Sequence, residues 1–201
     1  MTVRSGEFVA EHLTKNRTGE PIDDDQIQPN GVNLTVGDLL RTSGTVHFYA
    51  DDEGNDGGYD HGQRTQMRTF DPMGNPGSPF YRVYSGSYII EYGEHITIPE
   101  GHVGLVKPRS RFMRSGMEIT TAVWDQGYNG VGEGLLQVPQ SLDCVHLPVE
   151  YPVAQLILVE ADDSEPYDGS HQVEMPPILF GSELEDAAEQ DDEQTAATIE
   201  Q

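Results

Sequence analysis

From Gly31 onward the chain breaks into short apolar or alternating runs, each closed within a few residues by Gly, Pro, Asn or Asp. The runs are Gly31 to Leu40, Thr45 to Tyr49, Tyr81 to Tyr84, Ser87 to Tyr92, His95 to Ile98, Val103 to Val106, Met117 to Trp124, Leu135 to Val138, Val145 to Val149 and Val153 to Val159. Segments this short cannot make a helical core, and their spacing predicts strands joined by tight turns. The fold expected is mainly β, a distorted barrel or jelly-roll-like sandwich rather than an α/β sheet. Only Ser5 to Asn16 departs, with Phe8, Val9, His12 and Leu13 at near-helical spacing before Gly19 and Pro21. It predicts one short N-terminal helix.

A length of 201 residues suits a single domain. Between Asp51 and Pro79 the Gly- and Asp-rich stretch DDEGNDGGYDHGQ and then PMGNPGSP are too long for a turn and predict a surface insertion. From Ser182 to Gln201 there is no cation and hardly a large apolar side chain, so an acidic disordered tail is expected after a domain over 1–181.

Charge narrows the function. Thirty-five carboxylates face 11 cations, a net charge of −24 that argues against general binding to nucleic acid or anionic membrane. Lysine is nearly absent, only Lys15 and Lys107. Such a surface reads as adaptation to high salt, where a Debye length of ~3 Å at 1 M suppresses self-repulsion; the rival is an ordinary acidic protein. Cys144 is the only cysteine, which excludes an intrachain disulfide and fits a reducing, cytoplasmic setting. MTVRSGEFVAEHL has no signal-peptide core, and no apolar run approaches the ~20 residues of a membrane span.

No His or Cys spacing suits a metal site, and the zinc-deaminase signature H-x-E…P-C-x-x-C is absent. Gly130, Gly132 and Gly134 lack the following lysine and the strand-loop-helix context of a phosphate loop, so they read as a β-turn or bulge. The informative place is KPRSRFMRSG, where Lys107, Arg109, Arg111 and Arg114 cluster in a strongly acidic chain. Guanidinium forks with the Ser110 hydroxyl suit a polyphosphate. Intersubunit ion pairs are the structural alternative. After MEITTAVW, the turn Asp125-Gln126-Gly127-Tyr128-Asn129-Gly130 holds one carboxylate and one aromatic ring close together.

Taken in order, IQPNGVNLTVGDLL (Ile27 to Leu40), the strand from Ser87 to Pro99, P-R-S, V-W-D-Q-G-Y-N-G and YPVAQLILVEAD (Tyr151 to Asp162) resemble the motifs of dUTP pyrophosphatases and their relatives, the dCTP deaminases. PYDGSHQ (Pro166 to Gln172) is faintly similar to the deaminases' C-terminal Y-x-G-x-Y-Q. The resemblance implies a dUTPase-like β-clip fold, a homotrimer with sites between subunits, and hydrolysis of dUTP to dUMP and pyrophosphate. By the same resemblance Arg109, Ser110 and Arg114 would hold the triphosphate, with Gln155 nearby and Mg²⁺ carried on the phosphates. Asp125 would activate the attacking water, Tyr128 would lie beneath the deoxyribose, and Tyr167 would belong to a segment closing over the nucleotide.

The chain departs from the pattern at Asn33, where the family has aspartate, and at Arg111, where it has a small residue. The Gly116 to Asp125 hairpin is also shorter than usual. The deaminases place a glutamate ten residues after the aspartate; here that position is Leu135, with Glu133 and Gln137 two residues to either side. A bulge at the glycines could bring Glu133 into the pocket. The alternatives are therefore a dCTP deaminase, alone or bifunctional, and a non-enzymatic β-sandwich module whose arginines serve assembly.

Overall fold

The computed structural model describes residues 2–50, 56–60, 62–70, 79–162 and 166–167. The predicted tail, most of PYDGSHQ and parts of the insertion lie outside the described residues. In chain order come helix α1 (Gly6–Ala10), strand β1 (Leu13–Lys15), a single 3₁₀ turn (Asp24–Gln26), and strands β2 (Ile27–Gln28) and β3 (Gly31–Ser43). Next are β4 (His47–Ala50), β5 (Asp56–Asp60), β6 (Gln63–Gln66), β7 (Thr69–Phe70), β8 (Phe80–Val83), β9 (Gly86–Thr97) and β10 (His102–Pro108). Helix α2 (Ser110–Arg114), β11 (Glu118–Thr120), β12 (Asn129–Val138), β13 (Val145–Pro148) and β14 (Pro152–Glu160) complete the fold.

The main sheet runs β10-β14-β3-β9-β12-β11 with antiparallel pairing throughout, and β1, β2 and β6 attach to its flanks. Its two outer edges meet. Gly104 of β10 and Trp124, just beyond β11, exchange backbone hydrogen bonds of 2.7 and 3.1 Å, which all but closes the sheet into a barrel. Alternation along β14 buries Ala154, Leu156 and Leu158, and along β3 it buries Val32, Leu34 and Val36, with Leu39 turned inward past the register shift between Val36 and Asp38. A second sheet, β13-β8-β7, adds Tyr81, Val83 and Leu147 to the same core.

The mainly β expectation holds, and its differences in detail have physical causes. The helix stops at Ala10, because Leu13 to Lys15 leave the helical path to pair with Ile96 to Glu94 of β9. Ser5 caps its start by accepting the Phe8 N–H. The runs at Ser87 to Tyr92 and His95 to Ile98 are one strand, β9, which bends at Tyr92 to Glu94 as its neighbour changes from β3 to β1. At that change of neighbour stands Gly93, where a Cβ would clash with Thr35 Oγ1. The glycines read as a β-turn or bulge sit inside β12, where a register shift between Val131 and Glu133 bears out the bulge. The strand expected over Met117 to Trp124 is confined to β11.

Part of the 51–79 stretch contributes pairing of its own. β6 pairs with the far end of β3, and β5 forms a two-stranded ribbon with β4.

Candidate active site

The basic segment begins where β10 ends. Pro108 has no N–H to extend the ladder, and Arg109 is extended (φ −66°, ψ 145°) before the chain turns into α2. A full C-terminal cap finishes that helix: Gly116, in the left-handed region at φ +75°, donates to Met113 O, and Met117 donates to Phe112 O. Phe112 is buried and anchors the helix, which leaves Ser110, Arg111 and Arg114 on its exposed side. Among the described residues, the side-chain hydrogen bond from these arginines runs from Arg111 to the Tyr151 hydroxyl, at 2.9 Å. Among the described residues, Lys107, Arg109, Arg111 and Arg114 make no ion pair, whereas Arg4, Lys15, Arg17 and Arg64 each have a carboxylate.

Gln155 belongs to the same end of the barrel. It lies on β14 opposite Lys107 of β10 and Asn33 of β3, in a cross-strand row on one face. The Arg109 N–H bonds Val153 O at 2.9 Å, so Arg109 continues this edge. Arg109, Ser110 and Arg114 thus lie in and just before α2, with Gln155 on the strand that pairs with the end of β10.

Asp125, Tyr128 and Tyr167 form a second group. Trp124 is fixed by its pair of bonds to Gly104, Gly127 (φ +79°) donates to Ile98 O at 2.8 Å, and the Ile98 N–H bonds Tyr128 O at 2.9 Å. Asp125 is exposed between these fixed points. The ring of Tyr128, 7% exposed, stacks on Trp124 at 5.8 Å and meets Tyr167 edge-on at 5.8 Å. Its hydroxyl donates to Val131 O, and burial, with lesser contributions from Tyr167 and Glu133, pushes its pKa up to about 12. It offers a neutral ring face and no spare acid. Tyr167 is tied in by its N–H to Gln126 O.

The two groups stand at opposite ends of β10. Gln126 bonds Gly101, just before the strand begins, and Arg109 follows its last residue. Seven residues at ~3.3 Å each put about 20 Å between them. One chain does not bring Asp125 to Arg109.

A cleft of about 450 Å³ is lined by Arg109, by Lys15 and Arg17 with their partners Asp23 and Asp38, and by the further carboxylates Asp25, Glu91, Glu94 and Glu150. It includes neither Asp125 nor Tyr128, and its carboxylates repel a polyphosphate.

Sequence reasoning missed Arg64. Both oxygens of Glu133 accept from its guanidinium, at 2.8 and 2.6 Å. Despite the register shift beside it, Glu133 is therefore held in an ion pair from the inserted stretch. Its partner is 69 positions away, which no local pattern reveals. Leu135 stands two residues further along the same strand. Among the described residues, no three His, Cys, Asp or Glu side chains converge to hold a metal.

A profile of dCTP deaminase-like proteins matches residues 3–161. A protein of Halobacterium salinarum named probable deoxyuridine 5'-triphosphate nucleotidohydrolase is 41% identical over 171 residues, 84% of this chain and 93% of its own. One of the same name from Aeropyrum pernix is 33% identical over 155 residues, covering 74% and 86%. The 2'-deoxycytidine 5'-triphosphate deaminase of Agrobacterium tumefaciens superposes with a TM-score of 0.54 at 14% identity, over 78% of this chain and 47% of that one.

Proposed function

This chain belongs to the dCTP deaminase-like family, and we propose that within it the enzyme converts dUTP and water to dUMP and pyrophosphate. The observation that carries the reading is a basic helix whose arginines make no ion pair among the described residues of a chain of −24, set against an exposed carboxylate in a fixed turn. Arg109 and Arg114 supply guanidinium forks to the phosphate oxygens, Ser110 a hydroxyl and Gln155 an amide. The substrate arrives with Mg²⁺ on its phosphates, a mode this ion favours over all-protein cages. Asp125 orients and deprotonates a water for in-line attack at the α-phosphorus, and the cations offset charge on the leaving pyrophosphate.

Tyr128 contributes its ring. The deoxyribose packs at the Tyr128–Tyr167 pair, where a 2′-hydroxyl would meet apolar surface and go unpaired.

The assembly is a homotrimer, in which Asp125 of one chain meets Arg109 of another; the ~20 Å between the two groups within a chain supports this. The name shared by the relatives, with Leu135 at the deaminase glutamate position and Glu133 held by Arg64, favours hydrolysis over deamination. The surface charge supports work at high salt, and the exposed Cys144 thiol suits the cytoplasm.

Incubation with dUTP or dCTP and Mg²⁺ in strong KCl, with products separated by chromatography, tests the reading. Expected are dUMP and pyrophosphate from dUTP and no change in dCTP. Conversion of dCTP to a uracil nucleotide would establish the deaminase reading instead.

A further inference from the structure

The residue after the proposed base is unusual for a turn: Gln126 is polar, 5% exposed, and aimed inward. Its Oε1 accepts the Gly101 N–H at 2.8 Å, and its own carbonyl accepts the Tyr167 N–H at 2.8 Å. Gly101 lies in the β9–β10 corner with φ +68°, and its carbonyl in turn accepts the Ala161 N–H at the end of β14. One side chain thus ties the Asp125 turn to the corner of the barrel, and through that corner to the strand bearing Gln155. On the other side of Asp125 the Trp124–Gly104 bonds do the same. The carboxylate hangs between two anchors.

We infer that Gln126 is a positioning residue for Asp125: its amide oxygen fixes the turn so that the carboxylate meets the attacking water. This rests on the reading of Asp125 as the base. Misplacement by about 1 Å costs up to ~10²-fold in rate, and the phosphate contacts on α2 lie beyond the reach of Gln126.

The test compares Gln126→Met, which keeps the length and loses the acceptor, with Gln126→Glu, which keeps an acceptor oxygen. Expected for Gln126→Met is a fall in kcat of about 10²-fold with little change in KM for dUTP. Gln126→Glu should recover most of the rate, and its added negative charge beside Asp125 should move the acid limb of the kcat–pH profile upward. Wild-type kcat in Gln126→Met, or a loss confined to KM, overturns the inference. If Gln126→Met does not fold, the profile of Gln126→Glu decides alone, and an unmoved acid limb overturns it. Failure of the underlying reading would look different, since Asp125→Asn would then keep its turnover.

Discussion

Replacing Gly132 by alanine probes the link between core and site. A Cβ at this position would stand 2.5 Å from both Cη2 and Cζ2 of Trp124 and 3.3 Å from Ile96 Cδ1. Carbon atoms rest at ~3.5–4.0 Å, so the indole must retreat by about 1 Å or the strand must bow. Retreat is obstructed: Tyr128 stacks on the ring at 5.8 Å, Tyr92 abuts it at 6.1 Å, and the Trp124 backbone is bonded to Gly104 in both directions. Overpacking of this kind costs about 1–3 kcal/mol, which for a chain of this size lowers Tm by roughly 2–12 °C. Asp125, the next residue, moves with the ring, so kcat should fall by up to ~10²-fold. Trp124 is the only tryptophan, and its fluorescence therefore reports melting and displacement together. A Gly132→Ala protein with unchanged emission, Tm and turnover would refute the reasoning.

Asp125→Asn keeps the shape and loses the proton acceptor; turnover should drop ~10²–10⁴-fold with dUTP binding retained in a calorimetric titration. Glu94, buried among the Gln26 amide, the Thr35 N–H and the Thr35 hydroxyl, has its pKa raised above 4.5, chiefly by burial and only partly offset by those bonds. The native state then holds this proton more tightly than the unfolded chain, so the Glu94 contribution to stability falls as pH rises from about 4.5 through the raised value; Glu94→Gln should flatten that part of the Tm–pH curve, and an unaltered slope would assign it elsewhere. In the proposed trimer, three chains of −24 each would repel over ~30 Å at 0.01 M salt but only ~3 Å at 1 M, so light scattering should show the assembly loosening, and initial rates falling, as KCl is withdrawn.

The strands best legible in the sequence were those whose pattern is local. β14 and β3 alternate or run apolar between turn residues, and both stand close to where the pattern puts them. β12 was obscured because Gly130, Gly132 and Gly134 all lie on its buried face. Two of them leave room for side chains from distant parts of the chain, Trp124 at Gly132 and Tyr92 at Gly134. A glycine that makes space looks, in sequence, like one that makes a turn. The helix was overextended for a related reason, since only the pairing of Leu13 with Ile96 shows where it must stop. At the site, the arginine cluster and the carboxylate with its ring could be read from charge and spacing. The clamp from Gln126 to Gly101 and the capture of Glu133 by Arg64 could not, because each joins segments that only the fold makes neighbours.

The separation of the two groups along β10 also bears on how activity is counted. On the proposed reading, a lone chain would hold its anion-binding residues at one end of β10 and its base at the other, and neither end alone would turn over a nucleotide. Specific activity would then be a function of enzyme concentration, set by mass action among subunits and lost on dilution while every strand stays in register. Two inactive proteins, one altered at Arg109 and one at Asp125, would regain function when mixed, because each brings the half that the other lacks.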